Sequence, residues 1–226
     1  MTVTRWPPGR NTVDELHLSC PSGIAGNLFA TCLTVAGVPA DLLLGIPDRL
    51  GLPCAFHVVH DGYVLDGEYS CDASHPDPSG SLDDMRDVAR LGYPGRVGDV
   101  IAEVLTIRYA DDADPARQGE SWCDTLFDAS AAVVGLSFLG WPDVVVHGAL
   151  PWTHRHHPVS AVILADWQWA PLDVNVELVT PTGAAVLSRF ARQVTAPYAG
   201  RATAVSGRFT RDLGLDPVRI GVRSAG

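Results

Sequence analysis

The chain contains no lysine: all sixteen of its cationic residues are arginine. That absence removes the Schiff-base amine, the phosphate-loop lysine and the kinase lysine at once. A GC-rich genome accounts for such a bias, and the chemical exclusion holds either way. Also missing is any C-x-x-C pair among the five cysteines, Cys20, Cys32, Cys54, Cys71 and Cys123. Neither a disulfide framework nor a thiolate zinc site is indicated, and a reducing cytoplasm fits. Positive charge is scarce as well. A net charge of −10 argues against DNA or RNA as partner, because phosphate binding needs clustered cations. Residues 1–23 lack the apolar core of a secretory signal. The most apolar stretch, Ala25 to Ile46, is interrupted by Asn27, Thr31, Thr34, Pro39 and Asp41, which argues against a membrane span.

What remains is a chain of 226 residues, 46% hydrophobic and 19% charged, long enough for one sizeable core or for two small lobes sharing an interface. Leu16-His17-Leu18-Ser19 has the character of a short strand running into the glycine turn Ser22-Gly23-Ile24-Ala25-Gly26-Asn27. Apolar spacing then predicts a helix from Asn27 to Ala36. Apolar residues flanking Asp61-Gly62 between His57 and Leu65 predict an antiparallel hairpin with a two-residue turn. Ser70 to Ser81, rich in Pro, Ser, Asp and Gly, has the composition of a mobile loop. Val97, Val100, Ile101, Val104 and Leu105 recur at helical spacing, and a second, almost wholly apolar helix is expected from Ser121 to Leu139, stopped by Gly140-Trp141-Pro142. Strands are expected at Asp143–His147, Leu172–Val179 and Val218–Val222, with a helix over Gly183–Arg192. Strands alternating with helices, plus an antiparallel part, predict a mixed α/β fold of the α+β kind: a mixed sheet with helices in a single compact domain over residues 1–226.

Several groups have chemical potential. In Glu177-Leu178-Val179-Thr180-Pro181-Thr182-Gly183-Ala184-Ala185-Val186-Leu187 an extended run breaks at Thr-Pro-Thr-Gly and turns helical. Such a break offers backbone N–H groups, a hydroxyl and a bare glycine to an anion, as does the turn Ser22 to Asn27. Ser22, Gly23, Gly26, Asn27, Thr180, Thr182 and Gly183 are therefore candidate ligand contacts, although Thr180 as N-cap with Pro181 at the first helical position needs no ligand at all. Asp124 and Asp128 stand four residues apart on one helix face, which continues through Ala131, Ala132 and Gly135. Two carboxylates beside small residues suit a hard cation or a division of acid and base roles; both also suit the start of a helix, where the macrodipole favours acids. His154, His156 and His157 are candidate metal ligands or members of a solvated loop. Cys20, where strand meets turn, is either activated by the helix start or buried and inert. Trp122, Trp141, Trp152, Trp167 and Trp169 offer an aromatic wall for a flat ligand or ordinary packing, with Trp122 and Trp152 the candidate lining residues.

In combination, these segments resemble the N-terminal region of the LarC family, the nickel-insertion proteins of nickel-pincer cofactor biosynthesis. Ser22-Gly23-Ile24-Ala25-Gly26-Asn27-Leu28 is similar to the family's Ser-Gly-Ile-Ser-Gly-Asp-Met opening. Asp124-Thr125-Leu126-Phe127-Asp128 with Leu136-Ser137-Phe138-Leu139-Gly140 resembles its Asp-Ser-Ile-Val-Asp helix ending in Leu-Glu-Tyr-Leu-Gly. Glu177 to Leu187 is nearly identical to Glu-Leu-Val-Thr-Pro-Thr-Gly-Ala-Ala-Ile-Leu, and Gly207-Arg208-Phe209-Thr210-Arg211-Asp212-Leu213 resembles a glycine-rich segment with Thr-Arg-Asp-Leu. The resemblance implies nickel as cargo and a pyridinium mononucleotide as acceptor. Departures point elsewhere: Ser19 and Asn27 stand where the family has Asp, Gln118 and Gly119 where it has a His-Glu pair, and the long histidine-rich stretch shrinks to the loop around His75. The family's second region, associated with CTP use, has no counterpart here. Each loss removes a group that a cation would need. The expectation is a diverged cytoplasmic enzyme of specialised metabolism. It acts on a small anionic or heteroaromatic ligand, with Asp124 and Asp128 as acid–base residues. A nickel-insertion component and a non-catalytic binding partner are the alternatives.

Overall fold

A computed structural model describes residues 13–52, 56–60, 65–69, 80–109 and 122–224. Its frame is a five-stranded sheet in the order β7-β4-β1-β9-β8, formed by β1 (Glu15–Ser19), β4 (Asp143–His147), β7 (Ala191–Val194), β8 (Thr203–Val205) and β9 (Val218–Arg223). β1, β4 and β7 run parallel, β9 is antiparallel to β1, and β8 is antiparallel to β9, so the mixed α/β fold is as expected. β2 (Phe56–His60) and β3 (Leu65–Tyr69) form the expected antiparallel pair. Their register couples His60 to Leu65, and the turn expected at Asp61-Gly62 falls among residues 61–64 between them. Those four residues lie outside the described ones, as do residues 70–79 of the loop expected from Ser70 to Ser81.

Side-chain alternation along the strands sorts the two faces of the sheet. Leu16, Leu18, Val144, Val146, Val218 and Ile220 join the helices in one apolar core. At its centre runs α6 (Trp122–Phe138), with thirteen of its 17 residues buried. α6 stops where expected: Trp141 N–H returns to the Leu136 carbonyl at 2.8 Å, Gly140 takes a φ of 87° and Trp141 one of 65°. Packed around α6 are α1 (Gly26–Val35), α5 (Arg96–Arg108) and α8 (Pro181–Phe190). α4 (Leu82–Gly92), not anticipated, begins with a capping box in which the Ser81 hydroxyl accepts from Asp84 N–H and the Asp84 carboxylate accepts from Ser81 N–H. Ser81 therefore belongs to a helix start. Short helices α2 (Ala40–Leu44), α3 (Ile46–Leu50), α7 (Pro158–Ile163) and α9 (Arg208–Asp212) complete the set, with a small parallel pair of β5 (Leu150–Trp152) and β6 (Trp169–Pro171).

The strand expected over Leu172–Val179 does not form. Its residues alternate half-buried and exposed up to Val176, but their backbone groups are used irregularly: the Val176 carbonyl accepts from the Thr153 hydroxyl, the Val179 carbonyl from the Ser160 hydroxyl, and Leu172 N–H donates to the Trp152 carbonyl. Only Val179 makes a bridge, to Ile24. No helix among the described residues is long and apolar enough to cross a membrane.

Candidate functional site

The segment after β1 and the segment before α8 lock together backbone to backbone. Thr180 N–H donates to the Ile24 carbonyl at 3.2 Å. A Cβ on Gly23, whose φ is +84°, would collide with the Leu178 carbonyl, and one on Gly183 would collide with that of Ile24. A Cβ on Gly26, the first residue of α1, would fall 2.6 Å from Asp128 Cγ. At all three glycines the room where a side chain would stand is taken up by protein packed against protein.

α8 starts at Pro181, two residues earlier than expected, because Thr180 caps it: the Thr180 hydroxyl accepts from Gly183 N–H at 3.2 Å, and the Thr180 carbonyl accepts from Ala184 N–H at 2.8 Å. Pro181 has no N–H. The amide-rich start expected for α8 is therefore mostly consumed by its own cap. α1 has no side-chain cap from its N-cap Ala25, and the carboxylate of Asp128 lies against its first residue. An acid from the protein itself occupies the place where the helix dipole would attract an anion.

Asp128 is 7% exposed and Asp124, one turn earlier, half-buried. The small-residue strip that follows is filled: Ala131 and Ala132 are fully buried, and a Cβ on Gly135 would approach Leu33 of α1 to 2.6 Å. Those residues serve close packing of α1 on α6 and leave no ligand space. Ser22 is buried and accepts a hydrogen bond from the Thr210 hydroxyl at 3.3 Å, linking the start of the chain to α9. Asn27, half-buried, offers its carbonyl to the Thr31 hydroxyl, and Thr182 is buried on the first turn of α8. Ser22, Asp128, Thr182 and Thr210 are thus buried polar side chains on segments that meet near the starts of α1 and α8, with Ser22 and Thr210 bonded to each other.

The remaining candidates lie apart. His154 is exposed with its Nε2 2.9 Å from Asp173, His157 caps α7 by accepting from Val159 N–H, and His156 stacks on Trp152 at 4.1 Å with Trp169 edge-on. Burial lowers the His156 pKa, and neighbouring His157 adds to the effect. Among the described residues no three His, Cys, Asp or Glu side chains converge as a metal site would require, so the three histidines are not a joint ligand set. The tryptophans form no single wall. Trp152 and Trp169 meet edge-on, Trp141 lies under Arg96 and beside Phe190, and Trp122 sits by Gly80. Burial raises the Cys20 thiol to about 12, so it is the inert form of the two readings.

A second polar group, not anticipated from the sequence, occupies the other face of the sheet. There Glu15, His17 and Ser19 of β1 lie beside Val145 and His147 of β4 and Arg219, Gly221 and Arg223 of β9. His17 Nδ1 is 3.0 Å from His147 Nε2, and His17 Nε2 is 2.9 Å from Glu15. The sequence matches no protein-family model, and neither a curated protein nor a solved structure is detectably similar to it.

Proposed function

We propose that this chain is a LarC-like cytoplasmic enzyme of specialised metabolism that acts on a small anionic or heteroaromatic metabolite and has left nickel insertion. One observation carries the reading: the segments that resemble LarC meet at a single junction. Ile24 bridges Val179, Gly26 abuts Asp128, and Thr210 bonds Ser22 from 188 residues away. On this reading Asp124, half-buried, exchanges protons with the substrate. Asp128 behind it holds negative charge against the start of α1. Thr182 and Ser22 carry buried hydroxyls on the adjoining segments.

The test is turnover by metal-free protein of a panel of pyridine carboxylates and their mononucleotides, followed by mass spectrometry. Conversion of at least one compound is expected, with loss of conversion in the Asp124→Asn, Asp128→Asn double variant while its circular dichroism stays native. Conversion only with added nickel would assign the chain to nickel insertion instead. Binding without conversion would make it a non-catalytic partner.

A further inference from the structure

Three adjacent strands bring His147, Ser19 and Arg219 side by side at one edge of the sheet, since Ser19 is in register with both of the others. The segment 195–202 folds over that face. Tyr198 stacks on His17 with ring centroids 4.3 Å apart, in space that Gly221 leaves open, because a Cβ there would strike the Tyr198 ring. Between segment and sheet lies a cavity of about 300 Å³ lined chiefly by His17, Ser19, His147, Thr195, Tyr198 and Arg219. Its walls are more apolar than polar, with a few polar groups converging, as in small-molecule sites. Arg219 is exposed and has no carboxylate partner among the described residues.

The hydrogen-bond row beneath the cavity is short of one proton. His147 Nδ1 lies 2.7 Å from the Ala196 carbonyl, which can only accept, so the proton of neutral His147 is on Nδ1. His147 Nε2 then accepts, and His17 must donate from Nδ1. Neutral His17 accordingly turns a bare Nε2 toward the Glu15 carboxylate, two acceptors face to face. A proton added at that Nε2 completes the row. Burial opposes it and outweighs the pull of Glu15, lowering the His17 pKa, with His147 and Arg223 acting in the same direction. Asp143 of β4 and Arg192 of β7 share this face by register.

We infer that this cavity binds a small organic carboxylate, paired with the Arg219 guanidinium and the Ser19 hydroxyl, and that binding draws one proton into the Glu15–His17 contact. A guanidinium matches a carboxylate as a two-toothed partner. Negative charge beside the row favours the positive imidazolium, and linkage makes the effect reciprocal: lower pH tightens carboxylate binding.

The experiment is calorimetric titration of the full chain with benzoate near pH 7, in two buffers of different ionisation enthalpy. Saturable binding with uptake of up to one proton per chain is expected. Arg219→Gln, a surface change, weakens binding by about tenfold or more. Glu15→Gln keeps the binding but removes the proton uptake, because its amide can donate to His17 Nε2 directly. The inference is overturned by absence of saturation, by equal affinity in Arg219→Gln, by buffer-independent heats in the unaltered chain, or by inorganic phosphate binding as tightly as benzoate. It does not depend on Asp124 or Asp128, so failure of either reading leaves the other standing.

Discussion

Asp128 of α6 presses its carboxylate against Gly26, the first residue of α1, and the contact leaves no room for a side chain at position 26. A helix start that would otherwise attract an anion from solution is closed by an acid from a neighbouring helix. Gly26→Ala is therefore expected to destabilise the fold by about 1–3 kcal/mol through overpacking. Gly45→Ala, whose Cβ would meet nothing nearer than 3.4 Å, is the control expected to change little. Urea denaturation of both variants checks this, and equal midpoints would contradict it.

Gly23 carries two constraints, a positive φ and the Leu178 carbonyl where a Cβ would stand. Gly23→Ala should cost about 3 kcal/mol or more, since backbone strain and collision add. Yield of soluble folded protein and thermal melting report it. A melting temperature unchanged from the parent chain would show that the interlock with residues 178–183 yields easily.

Thr180 holds the start of α8 through its side chain. Thr180→Ala should lose about 1 kcal/mol, and Thr180→Ser should retain most of it, because a hydroxyl at the N-cap is what the Gly183 N–H needs. Chemical denaturation of the pair decides; identical losses would assign the effect to packing of the methyl group.

Folded His17 and His156 both hold a proton less readily than in an unfolded chain, where 6.5 is the usual value, and burial is the first cause in each. Just below pH 6.5 the unfolded chain takes up those protons before the folded one does, so stability rises with pH through that window and falls on acidification. Melting temperature is expected to drop between about pH 7 and about pH 5. His17→Gln and His156→Gln should each flatten the slope, and an undiminished slope in both would reject these residues as its source.

Cys20, Cys32 and Cys123 are buried thiols, and burial raises the pKa of the first two. In the native chain at mildly alkaline pH, iodoacetamide should leave all three unmodified, whereas denatured chain should react at each. Peptide mass spectrometry locates the adducts. Rapid native modification of Cys20 would restore it as a candidate nucleophile.

Much of this architecture is legible in the sequence, because helix periodicity and caps are local. β1, α1, α5, α6, β4 and β9 fall within a few residues of where apolar spacing puts them. The Ser81–Asp84 pattern that starts α4 was also readable, as a capping box masked by the Pro/Ser/Asp composition before it. Leu172–Val179 misleads because alternation reports a half-buried extended chain and not a hydrogen-bonded neighbour. The meeting of Asp128 with Gly26 agrees with the four-residue spacing of the acids, but that spacing says nothing of which helix lies opposite.

By itself the sequence determined which lysine-dependent chemistries are closed and where the main helices start and stop, since each depends on residue identity within a few positions. Only the tertiary structure decided that Gly23, Gly26 and Gly183 serve packing, that the histidines at 154, 156 and 157 go separate ways, and that His17 and His147, 130 residues apart, share a hydrogen bond. Strand register is the reason. A shift of one residue would turn His17 to the opposite face, and the order β4-β1-β9 is set by burial across the whole chain, which no local window contains.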